Sequence, residues 1–151
     1  MAIRYKYIER PKNAEDAIKV IEADLLPMLN AAWERKGKSF YKSEFAFNIE
    51  AFVTMWFAAG LVFAVAYDDD RPVGVFLGVK FTPFMFNRTV IQTETCYGET
   101  EEIERGLYDY ICGLVGVLSA SELWVATDNN ESKMPVGWHL EGVSTVERWS
   151  K

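Results

Sequence analysis

The chain has 151 residues, half of them hydrophobic and 15% aromatic, which suits one domain spanning residues 1–151 and excludes a disordered chain. A net charge of −6 argues against a nucleic-acid partner, because phosphate binding needs a basic face. The opening "MAIRYKYIERPK" lacks a signal-peptide core and no apolar run is long enough to span a bilayer, so a cytoplasmic, reducing setting without membrane contact is expected.

"IRYKYIE" (residues 3–9) alternates and is rich in β-formers, so it reads as a strand with a solvated basic edge. Pro11 breaks it, and Asn13 is placed to cap a helix with Glu15 and Asp16 in its first turn. Ile18, Ile21, Leu25, Met28 and Leu29 follow at helical spacing, and Pro27 should kink that helix or end its regular part. After a loop at "KGKS", a second helix is expected from about Ser43 to Ala59, with Phe45, Ile49, Phe52, Val53 and Trp56 on one face. Gly60 suits its C-terminal cap.

"LVFAVAY" and "VGVFLGVKF" read as strands of an antiparallel hairpin joined by the polar "DDDRP". Three consecutive aspartates in such a turn face solvent rather than a metal. The connection "FTPFMF" is unusually apolar; it reads either as a core plug or as a partner-binding patch formed by Phe84, Met85 and Phe86. "TVIQTETC" is a further strand. Strict alternation would put Gln92, Glu94 and Cys96 on one face and Thr93, Thr95 and Tyr97 on the other.

Thr100 can cap the next helix, which carries Ile103, Leu107, Ile111, Leu114 and Leu118 on one face. "LWVAT" is a short buried strand, "DNNESKMPVGWHLEG" a loop with at most one short helix, and "VSTVERW" a closing strand. The resulting order is β-α-α-β-β-β-α-β-α-β. Cys96 and Cys112 are the only cysteines, too few for a disulfide framework and without zinc spacing, so no metal is expected. Glutamates near Cys96 would raise its pKa, which favours a packing role over a nucleophile.

The stretch "CYGETEEIERG", residues 96–106, joins a strand end to a helix N-terminus, where many folds hold a phosphate on unpaired N–H groups. Here Glu99, Glu101 and Glu102 stand where a phosphate would lie. Acidic residues in a first helical turn favour the dipole by about 0.3–1 kcal/mol, so they suit a helix with no anion to bind.

The order of elements resembles the GNAT superfamily, the GCN5-related N-acetyltransferases, over nearly the whole chain. "RPVGVFLG" is similar to the family's third strand, "QTETCYG" to its fourth, and "WHLEGVSTVERW" to its closing pattern, with Val143 in place of a Phe. "FNRTVIQTETCYGE" also resembles GNAT-like proteins of tailed phages, several of which are virion or head-assembly components. The resemblance implies an α/β (α+β) fold, with a mixed, mostly antiparallel sheet, helices on both faces and a groove between the fourth and fifth strands.

In active members of that family the fourth strand leads into Gln/Arg-x-x-Gly-x-Gly/Ala, which cradles the coenzyme pyrophosphate. This chain departs from the pattern: Gly98 is followed by acidic residues, with Arg105 and Gly106 about a turn late. The family's acid is a Tyr before the closing glycine; Trp138 occupies the comparable place, and His139 beside it reads as a structural residue. Glu94 is a candidate base, or else a carboxylate solvated at the sheet edge or paired with Arg88.

The favoured expectation is therefore a non-catalytic, phage-type virion, assembly or interaction protein that takes no cofactor and sits in the host cytoplasm or the virion. The alternative is an acetyl-CoA-dependent N-acetyltransferase. Under it, Cys96, Tyr97, Gly98, Arg105, Gly106 and Asn129 would contact the coenzyme, Asn129 otherwise being an ordinary turn residue.

Overall fold

A computed structural model describes residues 2–37, 46–84, 87–126, 139–140 and 146–150. Strand β1 (Ile3–Tyr7) is followed by helix α1 (Ala14–Val20), a π-helical turn (Ile21–Leu25), helix α2 (Leu26–Ala32) and a second π-helical turn (Trp33–Gly37). Helix α3 (Ile49–Phe57) leads into β2 (Leu61–Asp68), β3 (Arg71–Phe81) and β4 (Val90–Gly98). Helix α4 (Glu101–Leu114) then precedes β5 (Glu122–Ala126), β6 (His139–Leu140) and β7 (Val146–Ser150).

The strands form one mixed sheet in the order β1-β2-β3-β4-β5-β7-β6. Every pairing is antiparallel except β4 with β5, which are parallel neighbours as the α4 crossover requires. β2 and β3 turn through Asp69, whose φ of 53° is the left-handed conformation that Asp tolerates in a tight hairpin.

Helix ends follow local chemistry. The Asn13 side chain accepts from the Asp16 N–H at 2.9 Å, and Asn48 accepts from Ala51 in the same way at the start of α3. α3 thus begins at Ile49 and not near Ser43; Phe45 lies outside the described residues. At its other end the left-handed residue is Ala59, with φ 58°, rather than Gly60, whose N–H instead donates back to the Met55 carbonyl at 3.2 Å. Pro27 does not end the first helical run: the π turn just before it absorbs the missing donor, and the helix continues through Ala32.

The sheet separates two apolar layers. One face of β2 presents Phe63, Val65 and Tyr67 to Ile21, Leu25, Met28 and Leu29 of the first helical run and to Phe52 and Trp56 of α3. Ile18 is exposed and Ala17 is buried in its place, because the buried stripe runs 17, 21, 25. Tyr67 reaches Asp24 at 3.2 Å; burial, then that carboxylate, push its phenol up to about 12.

The opposite face presents Val62, Ala64 and Ala66 to Ile103, Leu107 and Ile111 of α4. A Cβ at Gly74 would lie 2.9 Å from Ile103 Cγ2 and 3.1 Å from Leu107 Cδ1, so the Val-Gly pair of β3 lets α4 sit directly on the sheet. Leu118 follows α4 in a turn that closes at Ser119, with φ 59°.

The segment 127–138, including "DNNESKMPVGW", lies outside the described residues, so the short helix considered there is not placed. His139–Leu140 form a two-residue strand against β7, where a loop was expected. Among the described residues no helix is long and apolar enough to cross a membrane.

Candidate functional site

The β4–β5 pairing runs from Val90–Glu122 to Gln92–Trp124. Beyond Gln92, β4 continues to Gly98 along β3 alone, so the two parallel strands part at Thr93. At the same point the β3–β4 register slips: Gly78 faces Thr93 and Leu77 faces Thr95, leaving Glu94 as the extra residue of a bulge.

The bulge corrects the expected faces of β4. Ile91 packs in the α4 layer and, by unbroken alternation, Cys96 would lie on the opposite face. Cys96 instead packs in that same layer opposite Phe76, and Tyr97 packs against the α1–α3 layer. One inserted residue exchanges the two faces of the strand downstream of it. Gln92, Glu94 and Cys96 therefore do not share a face. Glu94 is exposed at the parting of the strands.

Glu94 is not the partner of Arg88. Arg88 Nη2 lies 3.0 Å from Glu122 Oε1 as an ion pair without hydrogen-bond geometry, and the Trp124 indole donates to Glu122 Oε2 at 2.9 Å, which together offset the charge of a carboxylate buried at the start of β5. This cluster ties the base of the β3–β4 connection to β5, as does the Ser121 N–H bonded to the Thr89 carbonyl at 2.9 Å.

The β4–α4 junction is the densest polar assembly of the site. The Thr100 hydroxyl caps α4 by accepting from the Ile103 N–H at 3.3 Å. The Glu99 N–H donates to the Val73 carbonyl at 2.9 Å, and Arg71 grips the Glu99 carboxylate with Nη1 at 2.6 Å and Nη2 at 3.2 Å. Hydrogen bonding to Glu99 and its charge raise the Arg71 pKa. On the other side Arg35, from the second π turn, donates to the Gly98 carbonyl at 2.6 Å and sits over the Tyr97 ring at 5.7 Å. Burial and then the charge of Glu102, followed by Asp109, push the Tyr5 phenol up.

The structure thus gathers Tyr97 and Gly98 with Glu99, Arg71 and Arg35. Cys96 points away, its Sγ 3.7 Å from the Glu104 carbonyl oxygen. Arg105 is exposed, 3.8 Å from Glu101 one turn back on its own helix. Gly106 is a packing residue: any Cβ there would run into the Tyr5 hydroxyl. Asn129 and Trp138 lie outside the described residues.

Arg35 and Arg71 escaped the reading of the sequence. Arg71 could have been found from register, because the two hairpins bring the start of β3 beside the end of β4. Arg35 had no local signal.

No family model matches the sequence, and a search of curated proteins finds no match. Comparison with solved structures does find relatives in shape. One is an aminoglycoside acetyltransferase from an uncultured soil metagenomic sample, solved with sisomicin; it is 12% identical with a TM-score of 0.61, over 84% of this chain and 78% of that one. A probable acetyltransferase from Staphylococcus epidermidis is 14% identical with a TM-score of 0.60, over 99% and 97%. The PaiA N-acetyltransferase of Thermoplasma acidophilum, solved with coenzyme A, is 14% identical with a TM-score of 0.55, over 100% and 99%. At such identities the likeness speaks for architecture alone, and it agrees with the mixed, mostly antiparallel sheet and its helices: this chain has the GNAT fold.

Proposed function

We propose that this chain is a single-domain GNAT-fold protein that transfers no acyl group and works through contact with another protein. The observation that carries the reading is the occupied β4–α4 junction. The Glu99 N–H is bonded to Val73 and its carboxylate to Arg71, while Glu101 and Glu102 are exposed in the first turn of α4. Each carboxylate about 4–6 Å from a phosphate oxygen would cost about 1 kcal/mol even at the dielectric of water. These residues do not fit the diphosphate of an acyl-CoA, and on this reading the chain takes no cofactor. The finer form, a virion or assembly component of the tailed-phage kind, is supported by the stretch "FNRTVIQTETCYGE" alone.

Titration with acetyl-CoA tests the reading. A ligand at 100 times its dissociation constant adds about 2.7 kcal/mol, roughly 5–10 °C of melting temperature for a chain of this size. Millimolar acetyl-CoA is expected to leave the melting temperature unchanged; a dose-dependent rise, or free thiol released when an amine is added, would sink the proposal.

The second reading, an acetyl-CoA-dependent N-acetyltransferase, is favoured by one observation: the exposed Glu94 stands on the bulge where β4 and β5 part. There it could take a proton from an acceptor ammonium. The same titration decides between the two.

The contact surface we propose is the β3–β4 connection. Its base is closed by Thr82 and Thr89, whose hydroxyl oxygens lie 3.2 Å apart, and Phe84 beyond it is fully exposed. Met85 and Phe86 complete the apolar stretch in sequence but lie outside the described residues. Burying one Phe contributes about 1.5–3 kcal/mol. Phe84→Ser is therefore expected to weaken partner binding or self-association about 10- to 100-fold, read by sedimentation, with an unchanged melting temperature. A drop of several degrees would make the residue part of the core.

A further inference from the structure

The disagreement between this junction and a diphosphate has a local cause. α4 has the frame of an anion site: a capped N-terminus, three full turns behind it, and a preceding glycine. Two guanidinium groups flank that frame, Arg71 on Glu99 and Arg35 on the Gly98 carbonyl. The planar fork of Arg71, which binds both oxygens of one carboxylate here, is the same fork that binds phosphate oxygens.

We propose that Glu99 is a tethered anion: its carboxylate, gripped by Arg71, stands at the N-terminus of α4 in place of a phosphate group, and Glu101 and Glu102 keep a free polyanion out. The inference rests on the non-catalytic reading above and deepens it, because it makes charge, not backbone shape, the cause of exclusion. The Glu99 N–H bond to Val73 belongs to the main chain. Exchanging Glu99 for the isosteric Gln leaves that bond in place and removes the anion from the Arg71 fork, which keeps only the Asp68 carboxylate 4.0 Å from its Nη2.

The experiment is calorimetric titration of the full chain with inorganic pyrophosphate at low ionic strength. The variant E99Q/E101Q/E102Q is expected to bind at least tenfold more tightly than the parent chain. Adding Arg71→Gln should return the affinity to the parent level. A control, E9Q/E22Q/E50Q, changes the net charge equally at exposed sites elsewhere and should gain nothing.

A folded triple variant that binds no better than the parent overturns the proposal and leaves the non-catalytic reading standing. A gain that survives Arg71→Gln, or that the control shares, also overturns it. Tight binding by the parent chain overturns both. Should the triple variant not fold, Glu99→Gln alone must still show a gain, in the same direction and smaller; a folded single variant with none overturns the proposal.

Discussion

Phe63→Ala is expected to lower stability by about 3–5 kcal/mol. Phe63 is completely buried in β2, at the centre of an aromatic group that seats α3 on the sheet. Its ring meets Trp56 edge-on, with centroids 5.7 Å apart and planes at 75°, and Phe52 at 6.2 Å and 87°. Alanine removes the transfer free energy of the ring and leaves a cavity between two rigid layers, and both edge-to-face contacts go with it. Calorimetry should show the melting temperature falling by about 6–20 °C. A loss below about 1 kcal/mol would mean that α3 does not rest on β2 as described.

Gly98→Ala carries the second large effect, about 3 kcal/mol, at the upper end of the cost of overpacking. A Cβ there would lie 2.5 Å from the Glu104 nitrogen, 2.8 Å from the Thr100 carbonyl oxygen and 3.0 Å from the Ile103 Cβ. Two of these atoms are backbone of the capped first turn and cannot move aside as a side-chain end could. The strand end would have to lift from α4, taking Thr100 from its capping position.

Gly113, near the other end of the same helix, has nothing within 4 Å of its added Cβ. Gly113→Ala should therefore stabilise by about 0.5–1 kcal/mol through backbone entropy. Urea unfolding of the two variants without any ligand checks the contrast. Equal effects would show that Gly98 is not confined by the turn. The glycine at the strand end is thus required by packing whether or not anything binds there, so its presence in the sequence is no sign of a coenzyme.

Much of the fold was legible because its signals are local. Asn13 and Thr100 cap the helices they were expected to cap, since a cap needs only a side-chain oxygen and an N–H three residues on. "DDDRP" makes the hairpin because turn residues and flanking strands lie within one stretch. The pairing of β4 with β5 follows from a strand-helix-strand unit, which leaves parallel neighbours as the simple outcome.

The site was less legible, for physical reasons that can be named. Alternation assumes an unbroken ladder, and the bulge at Glu94 exists only against β3, so the exchange of faces from Thr95 onward had no signature within the strand itself. The partner of Arg88 proved to be Glu122 because β5 returns beside β4 after a full helix. Gly106 answers to Tyr5 from the opposite end of the chain.

The sequence by itself determined the order of elements as far as β5, the N-caps at Asn13 and Thr100, the hairpin and the acidic character of the β4–α4 junction, since each depends on residues within a turn or two of one another. Only the tertiary structure decided what the acids face. Glu99 meets Arg71 across a separation of 28 residues, and the Gly98 carbonyl meets Arg35 across 63. Coulomb energy depends on distance in space, and that distance is set by sheet register and helix packing rather than by neighbours along the chain.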